Sequence, residues 1–505
     1  MRRFQPLAAA SLALAALTLA LAACKKDEAP AAPFPSTYTA PAAPAVLITH
    51  ATILTGTGRK LEDASLLIQD GKIVAVGEEV APPPQVEVID AKGRWLTPGL
   101  IDAHSHLGVY PSPDVWATAD GNEMVDPVTP GVWSEHAVWP QDPGFETARA
   151  GGVTSLLVLP GSGNLIGGRG SVLKNVPSVS YQGMKYPGAP YSLKIACGEN
   201  PKRVYGKDGQ RAPMTRMGNV AGYRAAFAKA KEYLKKQEAG GGEERDLGME
   251  TLAGVLKGDI LVQNHCYRAD EMETMLDVAK EFGFKITTFH HAVEAYKIAD
   301  RLAEEGVCAA LWADWWGFKL EAFDGIRENV AMVDAAVSKD GARGCAIVHS
   351  DDPYGIQRLN QEAAKAMAAG RRAGYVIRDE DAIAWITSNP AKAIGIGELT
   401  GSLEPGKAAD LVLWNGTPFS SYARADRVYI DGVLRFDRYT PKPVESDFAL
   451  GLAPPEEQEA GTPLTAPSAA IPASAAPKTE IAPTASPAEP APTEPAAAAA
   501  SETQP

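Results

Sequence analysis

The organisation of this chain follows from one segment, Thr97-Pro98-Gly99-Leu100-Ile101-Asp102-Ala103-His104-Ser105-His106. The Pro98-Gly99 pair is typical of the end of one secondary-structure element, and the apolar residues that follow it, Leu100 and Ile101, predict a buried strand. Side chains two residues apart in a strand point to the same face, so His104 and His106 project together from the end of this strand. Neutral imidazole is a common zinc ligand, and two imidazoles on one face can bind one ion. The segment therefore predicts part of a metal site.

The other candidate ligands share one feature, because each directly follows an apolar, strand-like run: His265, His290, His291 and the segment His349-Ser350-Asp351-Asp352. Between residues 99 and 397 such strands alternate with helix-like segments, which is typical of a parallel sheet. The alternation predicts an α/β fold, a (β/α)8 TIM barrel whose active site lies at the carboxyl ends of its strands. An open doubly wound sheet also fits the alternation, but it fits histidines at several separate strand ends less well.

Short β-rich runs flank the barrel region on both sides. Residues 45–98 and 398–440 have the same texture, and each contains an Asp-Gly pair between two apolar runs, at Asp70-Gly71 and at Asp431-Gly432. Asp-Gly in this setting is a strong hairpin signal, because both turn residues tolerate positive φ. The amino-terminal flank is too small to close a core alone. We therefore expect one small β-sandwich domain built from both ends of the chain.

The two ends of the chain are interpreted as segments outside the folded domains. Residues 1–23 contain two arginines and an apolar run and resemble a bacterial lipoprotein signal peptide, so Cys24 is the predicted lipidation site. Residues 24–44 are an Ala/Pro-rich linker, and residues 441–505 are a Pro/Ala-rich tail that we expect to be disordered. The chain is therefore expected in the cell envelope, exported and anchored to a membrane through Cys24, in the outer membrane or facing the periplasm.

Charge and cysteine content limit the partners and the redox chemistry. The formal net charge of −14 argues against nucleic acid as a partner, since phosphate binding needs clustered Lys and Arg. Four more cysteines form no C-x-x-C pair, and we interpret them as small buried hydrophobic residues: Cys197, Cys266, Cys308 and Cys345. An exported compartment permits disulfides, but spacing alone assigns none. The sequence gives no indication of an oligomeric state.

Taken together, three features resemble the metal-dependent amidohydrolase superfamily, most of all its imidazolonepropionase-related branch. They are the segment 97–106, the β-rich flanks and the later segment Gly401-Ser-Leu-Glu-Pro-Gly-Lys-Ala-Ala-Asp-Leu-Val412. The resemblance covers about residues 46–437. It implies that His104 and His106 bind a first metal ion. It also implies that Asp351 binds metal and handles the proton, with Asp352 as the alternative.

The resemblance assigns roles to the remaining strand-end histidines as well. It implies that His265 and His291 are metal ligands or groups that polarise the substrate, with His290 as the alternative to His291. The number of metal ions stays open at one or two, and the expected cofactor is a divalent metal, zinc above all.

Many members of the superfamily hold two ions bridged by a carboxylated lysine or a glutamate from strand three or four. Lys194 and Glu199 are the candidates here, and Lys174 is a weaker third. Lys194 lies inside a predicted buried strand, where an unpaired lysine is costly, although an ordinary salt bridge would satisfy it equally well. Glu199 lies at the end of that strand, where ligands usually lie.

Residues near the strand ends are candidates for substrate binding. Tyr267 and Arg268 could hold a substrate carboxylate, although a surface pair with Asp270 explains Arg268 at least as well. Residues 161–170 are rich in glycine and are interpreted as an active-site loop and not as a phosphate cradle. Three tryptophans either line a pocket or pack between the barrel and its helices: Trp312, Trp315 and Trp316.

The expected reaction is hydrolysis of an amide-type C–N bond by metal-activated water, with a short peptide as the first candidate substrate and a cyclic amide as the second. Asp351 takes the proton of the water and gives it to the leaving nitrogen, while His265 or His291, when free of metal, stabilises the oxyanion. Imidazolonepropionase activity itself is not expected, because that pathway is cytoplasmic and this chain carries an export signal. The alternatives are a non-catalytic binding lipoprotein of the envelope, and a deaminase or lactonase on the same site.

Overall fold

The amino-terminal flank of the chain is β-rich, as expected. The structure, a computed structural model, describes residues 33–240 and 244–440. The flank forms β1 (Val46–Leu54), β2 (Lys60–Gln69), β3 (Lys72–Gly77), β4 (Glu87–Asp90) and β5 (Trp95–Pro98). The predicted hairpin joins β2 to β3, with φ of 51° at Asp70 and 73° at Gly71. Both turn residues have the positive φ that favours Asp-Gly, and the two strands pair, so the hairpin prediction is confirmed.

The next eight strands form one sheet whose order follows the chain. They are β6 (Leu100–Ser105), β7 (Val153–Val158), β8 (Ile166–Lys174), β9 (Ser192–Ala196), β10 (Leu261–Cys266), β11 (Thr288–His291), β12 (Cys308–Leu311) and β13 (Cys345–Val348). The sheet is nearly closed, because Asp102 on β6 accepts hydrogen bonds from the hydroxyl and, at 3.3 Å, the backbone N–H of Ser350 after β13. The prediction is thus confirmed as a TIM-barrel-like α/β domain.

One strand departs from the expected all-parallel pattern. β8 runs antiparallel to both β7 and β9, and residues 159–165 lead into it without a helix. Residues 166–170 belong to this buried strand, so the interpretation of residues 161–170 as an active-site loop is wrong for them. Gly168 has φ of 107°, and a Cβ there would lie 2.2 Å from the Val132 carbonyl oxygen. The glycines therefore permit a close approach of backbones inside the domain, and not a loop around the site.

Helices connect most of the barrel strands and cover the outside of the sheet. The α-helices span Pro143–Ala150, Glu199–Pro201, Arg216–Glu238, Leu247–Lys257, Ala269–Phe282, Ala299–Glu305, Asn329–Ala335, Leu359–Arg372, Asp379–Ala382 and Ser388–Ala393. Their apolar faces join the strands in one large core, in which Phe227 stacks on Phe284 with ring centroids 4.3 Å apart. This core fixes the strands whose carboxyl ends carry the candidate site.

The carboxyl-terminal flank completes the smaller sheet with β14 (Leu411–Trp414), β15 (Ala425–Ile430) and β16 (Val433–Asp437). β14 pairs antiparallel with β5, so both ends of the chain form one continuous eight-stranded sheet. The second predicted hairpin joins β15 to β16, with φ of 49° at Asp431 and 72° at Gly432. The union of both ends agrees with the expectation, while the two packed layers of a sandwich stay a prediction.

Residues 33–44 are attached to the rest of the molecule, although we expected them to belong to a structureless linker. The hydroxyl of Tyr38 donates to Asp431 Oδ2 at 2.7 Å. Phe34 packs edge-on against Trp133, with ring centroids 5.4 Å apart. The expectation of a structureless linker is therefore wrong for residues 33–44. Two aromatic side chains are enough to hold this Ala/Pro-rich segment against the folded domain.

The four cysteines interpreted as unpaired hydrophobic residues form two disulfides, and that interpretation is wrong: the pairs are Cys197–Cys266 and Cys308–Cys345. Parallel pairing of β9 with β10 brings the first pair to a Cα separation of 5.2 Å, and the register of β12 with β13 places the second pair directly opposite each other. Sequence separations of 69 and 37 residues carry no information about strand register. Both pairs are a consequence of the order of strands in the barrel.

Several predicted segments lie outside the described residues: the signal peptide 1–23, Cys24, the first part of the linker and the tail 441–505. Within the two described ranges, no helix combines the length and the apolar character that a membrane span requires. Anchoring through Cys24 stays a prediction.

Candidate metal centre

Three ligand atoms converge at the carboxyl ends of β6 and β13. The Nε2 atoms of His104 and His106 lie 3.3 Å apart, and Asp351 Oδ1 lies 3.3 Å from the first and 3.2 Å from the second. Ligand atoms around a tetrahedral zinc ion with bonds of about 2.0–2.1 Å are themselves about 3.3 Å apart. These three atoms, which we call the ligand triangle, therefore have the spacing that a zinc-like ion requires.

A hydrogen bond behind His106 fixes which of its nitrogens faces the ligand triangle. His106 Nδ1 donates to the Leu159 carbonyl at 2.9 Å, because a carbonyl oxygen can only accept. The lone pair of the neutral ring is then on Nε2, directed at the other two members of the triangle.

Two side chains orient His104 in the same way, and we call them the imidazole relay: Gln263 and His290. Gln263 Nε2 donates to the Ala393 carbonyl at 3.1 Å, so Gln263 Oε1 is the atom that accepts from His290 Nε2 at 2.7 Å. The neutral His290 then offers only a lone pair at Nδ1, to which His104 Nδ1 donates at 2.9 Å. The relay leaves the Nε2 lone pair of His104 facing the ligand triangle, as second-shell partners of metal-binding histidines do.

The ligand triangle consequently contains three hydrogen-bond acceptors and requires a cation. Two lone pairs and a carboxylate oxygen at these distances repel each other unless a positive charge lies among them. Lys194 Nζ lies 3.1 Å from His104 Nε2 and donates to it. Burial lowers the pKa of Lys194 to about 7, so near neutral pH only about half of the molecules carry its ammonium form. The nitrogen and oxygen donors therefore fit a divalent ion of the zinc type.

Three more histidines surround the ligand triangle. His265, His291 and His349 are buried, and both ring nitrogens of His265 and His349, as well as Nδ1 of His291, lack a hydrogen bond within the described ranges. Burial lowers the pKa of all three imidazoles, that of His349 to about 4, so they stay neutral and keep lone pairs for a metal. Ring nitrogens of His104, His291 and His349 lie within 4.8 Å of one another and form a second candidate ligand set.

The three candidate bridging residues lie in different places. Lys194 on β9 shares the space of the ligand triangle. Glu199 begins the short helix after β9, and its carboxylate lies 3.7 Å from Lys319 Nζ. Lys174 is at the opposite end of the barrel, paired with Asp431 at 2.8 Å. Of the three, Lys194 is the one whose position suits a bridging ligand.

The remaining candidates separate into those at the site and those beside it. Tyr267 is buried and borders the site, with its ring centroid 5.2 Å from that of His291. Arg268 forms an ion pair with Asp270 at 2.9 Å, which is the alternative that the sequence left open. Asp352 caps the turn that follows β13, and the carboxylate before it belongs to the ligand triangle.

Backbone conformation also marks this cluster. His291 and Asp351 both lie in the left-handed region, with φ of 68° and 61°. Such values are uncommon for residues with a Cβ and concentrate at functional sites. Burial alone would raise the pKa of Asp351, but the basic groups that face it, His106, His349 and Lys194, hold that pKa below its usual value. Asp351 is therefore held in place as a carboxylate.

Sequence reasoning missed two residues of this arrangement. His349 was noted only as part of a strand-end segment, yet it lies two residues before Asp351, so the alternation applied to His104 and His106 could have identified it. Gln263 carries no signal of its own, because an amide inside an apolar run is compatible with many environments.

Residues 95–440 match the amidohydrolase family. Amidohydrolase tasK of Hapsidospora irregularis is 34% identical over 436 residues, which are 77% of this chain and 43% of that protein, so the chain spans less than half of this relative. An imidazolonepropionase of Mesorhizobium japonicum is 25% identical over 385 residues, 70% of this chain and 87% of its own. The crystal structure of an amidohydrolase from Thermotoga maritima is 39% identical, with a TM-score of 0.71 and coverage of 78% of this chain and 100% of its own.

Proposed function

Because this chain belongs to the amidohydrolase family, whose members are hydrolases of carbon–nitrogen bonds, we propose that it uses metal-activated water to hydrolyse an amide-type C–N bond in a short peptide or a cyclic amide. The observation that carries the proposal is the ligand triangle, where two oriented imidazole lone pairs and a carboxylate oxygen meet within 3.3 Å. Deaminases and lactonases would use the same triangle, so their substrates belong in the test.

The ligand triangle would hold a first divalent ion, which we propose to be zinc. A second ion would be held by His265 and His291, with Lys194 as the candidate bridging residue, and His349 is close enough to take part. When bound, such an ion lowers the pKa of a coordinated water towards neutrality and polarises the substrate carbonyl. The protein orients the ligands beforehand through the imidazole relay and the Leu159 carbonyl.

Asp351 is the residue that we assign to proton transfer. Its Oδ1 belongs to the ligand triangle, while Oδ2 lies 3.8 Å from His291 Nδ1, and the side chain is 23% exposed, so water can reach it. From this position Asp351 accepts the proton of the attacking water and passes it to the leaving nitrogen. With a single ion bound, a ring N–H of His265 or His291 would stabilise the oxyanion of the tetrahedral intermediate.

We propose that the enzyme acts in the cell envelope, lipid-anchored at Cys24. Two disulfides support this location, since disulfides persist in oxidising compartments. The signal-like residues 1–23 before Cys24 support it independently. Short peptides outside the cytoplasm are consequently the preferred substrate class, and the cytoplasmic imidazolonepropionase reaction is not proposed.

Metal content and turnover of the full chain, purified without chelator, test the proposal. We expect one or two zinc-like ions per chain and hydrolysis of dipeptides within a panel that also contains cyclic amides, aminopurines and lactones. Asp351→Asn is expected to lower kcat by about 10²–10⁴-fold, because it removes the proton acceptor. His104→Ala is expected to lose the metal as well.

His50→Ala is the matched control, because His50 is a solvent-exposed histidine of the small sheet that pairs with Asp90. It should retain metal and turnover. A chain that binds no ion, even after incubation with zinc, would overturn the proposal and favour a non-catalytic binding lipoprotein. Turnover of a lactone or an aminopurine alone would keep the metal site but change the reaction.

A further inference from the structure

The disulfide Cys197–Cys266 lies at the carboxyl ends of two barrel strands, the end that carries the candidate site. Cys266 is the last residue of β10 and directly follows His265, while Cys197 directly follows β9. The pairing of β9 with β10 ends at Ala196 and His265, and the Cys197 backbone N–H donates to the His265 carbonyl at 2.9 Å. The disulfide therefore continues the link between the two strands beyond their last paired residues.

The two sulfur atoms lie in the apolar core and not among the candidate ligands. Successive side chains of a strand point to opposite faces, so Cys266 is directed away from the site that His265 faces. Cys266 is fully buried and Cys197 is nearly so, and both belong to the large core around the sheet. A disulfide has no thiolate to offer a metal ion. Any effect of this crosslink on the metal centre must consequently pass through the backbone of its neighbours.

His265 is the neighbour whose position matters, and it is held differently from the other candidate ligands. The Nδ1 atoms of His104 and His106 are hydrogen-bonded, which orients both rings. The ring of His291 stacks on Trp312, with centroids 4.3 Å apart. Neither ring nitrogen of His265 has a hydrogen-bond partner within the described ranges, although metal-binding histidines are ordinarily fixed by one. The position of this imidazole is therefore set by packing and by its backbone.

We infer that the disulfide Cys197–Cys266 is a positioning element of the metal centre, which fixes the backbone of His265 relative to the strand that carries Lys194. Lys194 lies three residues before Cys197. The inference rests on the proposed function, because it requires His265 to act at the metal centre. Binding constellations must be held within about 0.5 Å of their productive geometry, and a covalent link beside a ligand without a hydrogen-bond partner provides such a constraint.

The second disulfide provides a matched control in the same sheet. Cys308 and Cys345 are the first residues of β12 and β13, so they link neighbouring parallel strands at the end of the barrel opposite the site. Both disulfides are buried, and their sequence separations are 69 and 37 residues. Because loop-closure entropy grows slowly with loop length, the loss of either disulfide should destabilise the chain to a similar extent.

The test compares two double variants of the full chain, Cys197→Ala/Cys266→Ala and Cys308→Ala/Cys345→Ala. Both should unfold at lower temperatures than the parent chain, by similar amounts. Only Cys197→Ala/Cys266→Ala should bind its most weakly held zinc ion about 10–100-fold less tightly, in competition with a chromophoric chelator. Only this variant should also show an altered visible spectrum after loading with cobalt(II), because that spectrum reports the geometry of the ligands and not the stability of the fold.

Hydrogen exchange of the metal-free full chain, followed by mass spectrometry, measures the positioning without any metal. Amides of residues 262–268 should exchange roughly 10-fold faster or more in Cys197→Ala/Cys266→Ala, and at the parent rate in Cys308→Ala/Cys345→Ala. Parent exchange in the first variant, or an equal loss of zinc affinity in both variants, would overturn the inference. A parent chain that binds no zinc would overturn the proposed function instead, and faster exchange of residues 262–268 would still support the positioning of His265.

Discussion

Two buried lysines on adjacent barrel strands have opposite surroundings. Lys174, on β8, is paired with Asp431 at 2.8 Å and Asp410 at 3.5 Å, at the end of the barrel that meets the small sheet. Lys194, on β9, lies 3.1 Å from His104 at the other end, and no carboxylate of residues 33–240 or 244–440 is ion-paired with it. Burial alone therefore does not identify a functional lysine. The partners of a buried lysine identify its role. Carboxylates neutralise the charge of Lys174, whereas Lys194 faces imidazole lone pairs in a cluster that needs a cation.

The largest effect that this comparison predicts is on activity, through Lys194→Met. We expect kcat/KM to fall by about 100-fold or more, since a metal bound in this cluster contributes several kcal/mol to transition-state stabilisation. The metal-free variant should unfold near the temperature of the parent chain, because the loss of the hydrogen bond to His104 and the removal of a buried amine without an ion-pair partner oppose each other.

Metal content, turnover and thermal unfolding of the metal-free protein measure these effects of Lys194→Met. Lys174→Met is the matched control, with the same substitution at the other end of the barrel. The assignment of a functional role to Lys194 and a structural role to Lys174 would be contradicted if Lys194→Met kept full turnover, or if both variants destabilised the metal-free chain equally.

The second prediction concerns stability. Lys174→Met leaves Asp410 and Asp431 buried without their cation, so the free energy of unfolding should fall by about 3–5 kcal/mol. Bound metal per folded chain should stay unchanged. Urea unfolding measures the loss, and the double variant Lys174→Met/Asp431→Asn should recover part of it. Additive losses in the double variant would show that the pair is not coupled.

This contrast between the two lysines also shows which features of the fold and the site can be predicted from the sequence. The barrel followed from alternating strands and helices, and two members of the ligand triangle followed from the two-residue spacing of His104 and His106 at a strand end, whereas Asp351 was chosen through the family resemblance. The alternation and the spacing are local patterns, so the sequence contains them. The number and identity of the bridging ligands stayed open, because Lys174 and Lys194 both lie in apolar runs and differ only in distant partners.

What the sequence could not provide depends on strand register and direction. The disulfide Cys197–Cys266 and the contact of Gln263 with His290 both arise because separate elements are placed side by side. The antiparallel direction of β8 comes from a glycine-rich segment that is equally typical of a loop. Such features belong to tertiary structure, and neither composition nor periodicity carries them.

A smaller effect is expected from the imidazole relay, which supports a ligand without touching the metal. Gln263→Leu removes the acceptor of His290, so His104 loses its fixed tautomer and metal affinity should fall by about 10–100-fold. Gln263→Glu keeps an acceptor oxygen for His290 and should retain most of the affinity. Competition with a chromophoric zinc chelator measures both. Equal losses in the two variants would mean that Gln263 acts through packing and not through the hydrogen bond.

The smallest effect is expected at Arg268. Its ion pair with Asp270 argues against the hypothesis that Arg268 binds a substrate carboxylate. Because Arg268 is ion-paired with Asp270 near the surface, Arg268→Ala should change the free energy of unfolding by about 0–1 kcal/mol and leave kcat/KM for dipeptides unchanged. Dipeptides with a free and with an amidated carboxyl terminus provide the measurement. If the variant loses turnover of the free acid and keeps that of the amide, Arg268 exchanges Asp270 for a substrate carboxylate, and the pair seen here is a resting arrangement.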